Sequence, residues 1–248
     1  LAALYAVKSL LDQGLVFTKR IRFIFGTDEE TLWRCMNRYN QLEEKADLGF
    51  APDSSFPLTY AEKGLLQVKL HGPGWEDRPL QAGRALNVVP DKATYKGERL
   101  EELLPVIEQS GVNYTEEAGA VTVLGLSKHS KDAAEGVNAI VGLAESLSLI
   151  QPHPALLFIA DAVGEDATGA ALFGEIKDEP SGALSFNIAT LFIDEERSEI
   201  GIDIRIPVLA DKDALVERLT EVAASYQLQY EEFDYLAPLY VPLDSPLV

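Results

Sequence analysis

The chain has 248 residues, 47% hydrophobic and 25% charged, an ordinary balance for a globular protein with length for one large or two modest domains. Its formal net charge of −19 argues against nucleic acid or an anionic membrane as partner, since either demands a basic surface. The single cysteine, Cys35, excludes an intramolecular disulfide and fits a reducing, cytoplasmic compartment; no apolar run reaches the ~18 residues of a membrane span, and no signal peptide is visible.

The chain opens on LAALYAVKSLLDQG, which predicts a helix over residues 1–13 that stops at Gly14. It has no initiating Met and no helix cap, and it ends on PLDSPLV as if approaching another helix, so it reads as an internal fragment. A buried strand is expected at 20–26, a helix at 31–41 and a short extended run near 58–61. After AEKG (61–64) the pattern becomes alternating, with Leu66, Val68 and Leu70 against Gln67 and Lys69, as in a half-exposed strand. Further strands are expected around 84–96 and 111–126, with a helix at 98–109 closed by Gly111.

The pattern over 130–149 predicts one long helix, and PALLFIADAVG a shorter one. GALSFNIATLFID and SEIGIDIRIPV predict two strands paired antiparallel across EER. Asp211 opens an amphipathic helix, and LQYEEFDYL is a last strand. The order implies an α/β piece at 1–63, an α+β domain at 64–237 made of two β-α-β-type, ferredoxin-like halves with antiparallel sheet, and a return segment at 238–248.

IRFIFGTDEET, residues 21–31, carries the chemistry best placed by local pattern. An apolar run (Ile21, Phe23, Ile24, Phe25) meets Gly26 and then Asp28, Glu29 and Glu30, with Asp53 following in FAPDSSFP. Adjacent acids are compatible with a solvated loop. The sharper alternative is a metal site, in which one carboxylate binds a cation and its neighbour, its pKa raised by like charge and burial, faces the activated water. His129 lies between a strand and a helix in VLGLSKHSKDAAEGVNA and is the best placed of three histidines. Arg205 is a charge in an otherwise apolar strand and needs a partner. Asn87, in GRALNVVPD, suits turn or edge hydrogen bonding. His71 and His153 lie in Gly- and Pro-rich turns and are expected at the surface, and Cys35 is expected to pack. There is no HExxH, no cysteine cluster and no phosphate loop.

RFIFGTDEE, the Trp33-x-Cys35-Met36 helix and DLGFAPDSSFPLTYAEKG together resemble the PepV-type dipeptidases. These belong to the dinuclear zinc metallopeptidase family that also holds carnosinase, aminoacylase and carboxypeptidase G. The resemblance is specific over 21–64 and looser to the end of the chain. It implies a partial catalytic domain followed by an inserted lid, two zinc ions in the intact parent, and a dipeptide with a free amino terminus as substrate. By the same resemblance Glu29 is the general base, Glu30 a ligand of one zinc and Asp53 a ligand of the other. The segment around His129, with its Gly, His and downstream Gly-x-Asn-Ala, is similar to the lid motif that places a histidine over the scissile carbonyl. Lys128 and Ser130 stand beside it where smaller residues are the family's pattern. Asn87 matches a lid asparagine that holds substrate, and Arg205 a clamp for the terminal carboxylate.

Two carboxylates without a nearby histidine fall short of the roughly three ligands of catalytic zinc, so this polypeptide is expected to bind zinc weakly and to be inactive by itself. N-acyl amino acids as substrate, as in aminoacylases, and a noncatalytic lid or dimerisation module are the two alternatives. Self-association through the lid or an exposed sheet edge is also expected.

Overall fold

The structure, a computed structural model, describes residues 1–27, 33–54, 56–246 and 248. Contacts divide the chain into two units, Leu1–Thr59 with Leu243–Val248, and Tyr60–Pro242.

The first unit carries helix α1 (Ala2–Asp12) and helix α2 (Arg34–Leu42). The run 21–26, expected as a buried strand, forms neither strand nor helix, and Phe25 is 79% exposed. No described segment pairs with it, and a strand exists only where its N–H and C=O groups find a neighbour. Side chains tether it instead: Arg22 Nη1 donates to Tyr39 Oη of α2 at 2.5 Å and to the Glu44 carbonyl at 2.6 Å.

In the second unit the strands, in chain order, are β1 (Ala61–Glu62), β2 (Gly64–Pro73), β3 (Leu80–Ala82), β4 (Lys92–Tyr95), β5 (Tyr114–Glu117), β6 (Ala120–Leu124), β7 (Lys177–Asp178), β8 (Gly182–Ala183), β9 (Ser185–Ile193), β10 (Arg197–Ile206), β11 (Gln229–Leu236) and β12 (Leu239–Tyr240). Among the described residues a five-stranded antiparallel sheet has the order β11-β2-β10-β9-β3, and a separate three-stranded antiparallel sheet has the order β4-β6-β5. The helices are α3 (Leu100–Ser110), α4 (Ala139–Ile150), α5 (Pro154–Leu157), which runs on as a wider turn over Phe158–Val163, α6 (Ala170–Phe173) and α7 (Lys212–Ser225).

Period-two alternation gives the larger sheet two unlike faces. Leu66, Val68 and Leu70 of β2, Phe186 and Ile188 of β9, and Ile200, Ile202 and Ile204 of β10 are all buried in one core with Leu143 and Leu147 of α4 and Leu219 of α7. Each such side chain contributes about 1.5–3 kcal/mol by leaving water. The register slips at Gly201 and Ile202, leaving Ala189 of β9 as an extra residue. Without that bulge Leu191 and Ile193 would change face; with it they rejoin the core. The opposite face is polar and carries Gln67, Lys69 and His71 of β2 beside Glu199, Asp203 and Arg205 of β10.

Several local expectations are corrected. The strand expected at 111–126 is the hairpin β5–β6, turned by Ala118 and Gly119, both at positive φ. The stretch 84–96 is strand only over β4; Pro90 lacks an N–H, and the carbonyls of Leu86 and Val88 go to a side chain rather than a ladder. The single helix expected at 130–149 is a short 3₁₀ segment, Ser130–Glu135, then a break, then α4. The break occurs because Val137 exchanges two backbone hydrogen bonds with Leu126, at 2.8 and 3.1 Å, and Asn138 restarts the helix as its cap. Asp211 caps α7 by accepting from the amides of Asp213 and Ala214, and Gly111 closes α3 at φ 78°. His71 lies within β2 rather than a turn, and His153 is 4% exposed rather than at the surface. Its Nδ1 caps α5 by accepting from Ala155 N, its Nε2 lies 3.1 Å from the Pro73 carbonyl, and its ring meets Trp75 edge-on. Among the described residues no helix is long and apolar enough to cross a membrane.

Candidate active site

Three of the residues singled out from the sequence come together on the second unit. Residues 87–89 and 128–130 run antiparallel: Ser130 N donates to the Asn87 carbonyl at 2.9 Å, Val89 N to the Lys128 carbonyl at 2.8 Å, and Val88 bridges His129. This places Asn87 and His129, both exposed, on neighbouring segments. The pair sits beside the polar sheet face, because Ser185 Oγ of β9 donates to the Ser130 carbonyl and Leu86 packs where Gly201 of β10 lacks a side chain. A Cβ at Gly201 would stand 2.7 Å from Leu86 Cδ2 and 2.2 Å from Thr190 Oγ1. Gly125, upstream of His129, serves a similar purpose: a Cβ there would lie 2.1 Å from the Val137 carbonyl oxygen. Only glycine lets the two segments approach closely enough to pair.

The chemistry of His129 follows from its neighbours. Nδ1 accepts a hydrogen bond from Lys131 N at 3.2 Å, so the neutral ring carries its proton on Nε2 and can donate outward. Partial burial, then the positive charge of Arg205, pushes its pKa below the usual 6.5, while Asp203 and Asp132 oppose and Lys131 reinforces the shift. The ring is therefore neutral near neutral pH, a donor without a net charge. Such a group suits a carbonyl oxygen that gains negative charge.

Arg205 has the partner that its place in an apolar strand demanded. Its Nε donates to Asp203 Oδ1 at 2.7 Å and its Nη2 to Asp203 Oδ2 at 3.2 Å, while Gln67 Nε2 donates to the same carboxylate at 3.0 Å. Asp203 is fully buried, whereas the Arg205 side chain keeps 19% of its surface exposed. One edge of the guanidinium is thus fixed, and Nη1 has no partner among the described residues. An ion pair of this kind orients a fork that can still meet a planar anion with its other edge.

The remaining predicted site residues are placed differently. Glu29 and Glu30 lie outside the described residues. Asp53 belongs to the first unit and is exposed. Among the described residues no group of three His, Cys, Asp or Glu side chains is arranged to hold a metal ion, so the described donors do not by themselves fit the two-zinc set implied by the resemblance. Site residues that the sequence pattern did not mark are Asp203, Gln67 and Asn187, while Ser130 stood out only as a departure beside His129. The spacing Asp203-x-Arg205, two residues apart in a strand, puts both on one face and was the available signal for the pair. Asn187 likewise stood out as an amide amid apolar neighbours in SFNIAT.

Fold and site define a mixed α/β unit with antiparallel sheets that presents an imidazole donor, an amide and a guanidinium together. No protein-family model matches the chain. It is 34% identical over 272 aligned residues, covering 100% of this chain, to the Bacillus subtilis protein named "Putative dipeptidase YtjP". It is also 31% identical, again over 100% of its length, to the Staphylococcus aureus (strain MW2) protein named "Putative dipeptidase MW1694". The chain spans 58% of the length of each of these relatives. Among solved structures, an aminoacylhistidine dipeptidase from Vibrio alginolyticus aligns with 76% of this chain and 47% of its own, at 13% identity and a TM-score of 0.33, a likeness too slight to carry argument.

Proposed function

We propose that the chain is part of a dipeptidase of the zinc metallopeptidase family it resembles, and that its second unit holds the dipeptide during hydrolysis. The observation that carries this reading is the His129 ring, whose Nδ1 accepts from Lys131 N and so leaves Nε2 to donate, on a segment paired with that of Asn87 and tied through Ser130 to the sheet that carries Arg205. Similarity along the whole chain to proteins named for dipeptidase activity supports it.

In this reading His129 donates from Nε2 to the scissile carbonyl oxygen and strengthens that bond as the oxygen becomes an oxyanion. Arg205, braced by Asp203, offers its free edge to the substrate's terminal carboxylate, and the Asn87 amide orients the peptide. Fixing both the carboxylate and the carbonyl limits productive binding to short substrates. Glu29 is the proposed base that takes a proton from the attacking water. Glu30 and Asp53 are the proposed metal ligands.

The test is steady-state hydrolysis of dipeptides and N-acyl amino acids by the full-length protein carrying His129→Ala or Arg205→Ala. His129→Ala should lower kcat by about 10²–10³-fold, the usual worth of one oxyanion donor. Arg205→Ala should act mainly on KM, and only for substrates with a free terminal carboxylate. A His129→Ala enzyme that turns over dipeptides at near the parent rate would sink the reading. A preference for N-acyl amino acids over dipeptides would move the substrate class to that of the aminoacylases.

A further inference from the structure

The groups proposed to touch substrate sit on loop-like segments, and the question is what holds them still. Asn187 stands on the polar side of β9 and is 2% exposed. Its Nδ2 donates to Ser130 Oγ at 2.8 Å and to the Val88 carbonyl at 3.0 Å, with the Leu86 carbonyl farther off at 3.4 Å. Its Oδ1 accepts from Asn138 Nδ2 at 3.2 Å, while Asn138 Oδ1 caps α4 by accepting from Ile140 N and Val141 N. Ser130 is fully buried and uses every polar atom: N–H to the Asn87 carbonyl, Oγ–H to the Leu86 carbonyl at 3.0 Å, and its own carbonyl to Ser185.

The residues bonded to Asn187 bracket the site residues. Leu86 and Val88 flank Asn87, and Ser130 follows His129. We propose that Asn187 is a positioning residue that locks the segments carrying Asn87 and His129 into one rigid unit over the sheet, with Ser130 as its relay and Asn138 fixing its orientation. A buried amide has two donors and one acceptor to place, and all three are engaged here, so its rotamer is determined and it transmits that definition to both segments. An apolar residue of the same volume would fill the space but leave Val88 O and Ser130 Oγ without their donor. The β9 strand behind it is hydrogen-bonded on both sides, to β10 and β3, which gives the anchor more support than the segments it holds.

The inference rests on the placing of Asn87 and His129 at the site, and its test reads their geometry without turnover, so failure of the dipeptidase reading and failure of this proposal are separate outcomes. The chain has three histidines, so their imidazole resonances can be assigned by single His→Gln variants and titrated individually by NMR. The groups that set the His129 midpoint are Arg205, Asp203, Lys131 and Asp132, together with burial. In Asn187→Leu, and to a lesser degree in Ser130→Ala, the His129 midpoint should rise toward 6.5 as the ring leaves its partly buried place beside Arg205, while the His153 midpoint stays put. Leu103→Ala, a core truncation away from the network, should lower stability and leave the His129 midpoint unmoved. A folded Asn187→Leu with the parental His129 midpoint would overturn the proposal. Where that variant does not fold, Ser130→Ala decides, since it removes a single hydroxyl: an unchanged midpoint there would overturn it as well. In the full-length protein the same variants should lose on the order of 10²-fold in kcat with little change in KM, as misplacement of a catalytic group does.

Discussion

Asp203 and Arg205 lie two residues apart on β10, on the polar face of the sheet, and the guanidinium of one donates to both carboxylate oxygens of the other. The carboxylate is fully buried and its third bond comes from Gln67, a strand away and 136 residues earlier. Deleting the acid strands a mostly buried cation. Asp203→Ala should therefore lower unfolding free energy by about 3 kcal/mol, the lower end of the cost of orphaning a buried pair because Arg205 reaches some water. Urea denaturation of the chain checks it, and a loss under about 1 kcal/mol would mean the pair is solvated like a surface bridge.

His153 should make the fold sensitive to mild acid. Burial lowers its pKa below the usual 6.5, so the unfolded chain binds its proton more readily than the folded one. Stability from this group is present above pH 6.5 and is lost as the pH falls through that value toward the folded pKa. His129 acts in the same direction, whereas Glu145, raised by burial and by Glu165, acts in the opposite one. The comparison that isolates His153 is the urea midpoint of the parent against His153→Asn, which keeps a capping acceptor, at about pH 7.5 and about pH 5.5. The parent should lose more on acidification; equal losses would assign the effect elsewhere.

Gly125→Ala should be costly although nothing at this position needs unusual dihedral angles. The added methyl would meet the Val137 carbonyl at 2.1 Å, and backbone cannot yield as a side-chain tip can. Overpacking of this kind costs about 1–3 kcal/mol or more. Thermal unfolding measures the loss, and hydrogen exchange at the Leu126 and Val137 amides should quicken beyond the global change. A neutral substitution would show that the two segments are free to separate.

Glu29→Gln tests the proposed base. In the full-length protein, loss of about 10²–10⁴-fold in dipeptide hydrolysis with bound metal unchanged is the signature of a proton-transfer residue. Metal lost along with activity would exchange the roles of Glu29 and Glu30, and near-parental activity would remove Glu29 from the mechanism. The 248-residue chain alone should retain less than one equivalent of zinc through gel filtration, because two carboxylates are a poor set for that ion. Stoichiometric retention would show that the chain itself supplies a third ligand.

The sequence by itself determined the features that depend on consecutive residues. The alternation of β2, the β9–β10 hairpin across EER, the Asp211 cap and the Gly111 stop could all be read directly, since turn, cap and face are set by neighbours in the chain. The candidate status of His129, Asn87 and Arg205 was legible too, through the motif around each. Tertiary structure alone decided what each of them touches. Arg205 meets Asp203 and, through it, Gln67; the His129 and Asn87 segments meet at Ser130 and Asn187; the helix expected at 130–149 is broken because Val137 pairs with Leu126. The acidic run after Gly26 shows the reverse limit: its apolar prelude promised a buried strand, but a strand needs a pairing neighbour, and none of the described segments supplies one. Local pattern encodes which groups must be satisfied, and only the folded chain settles which distant residue satisfies them.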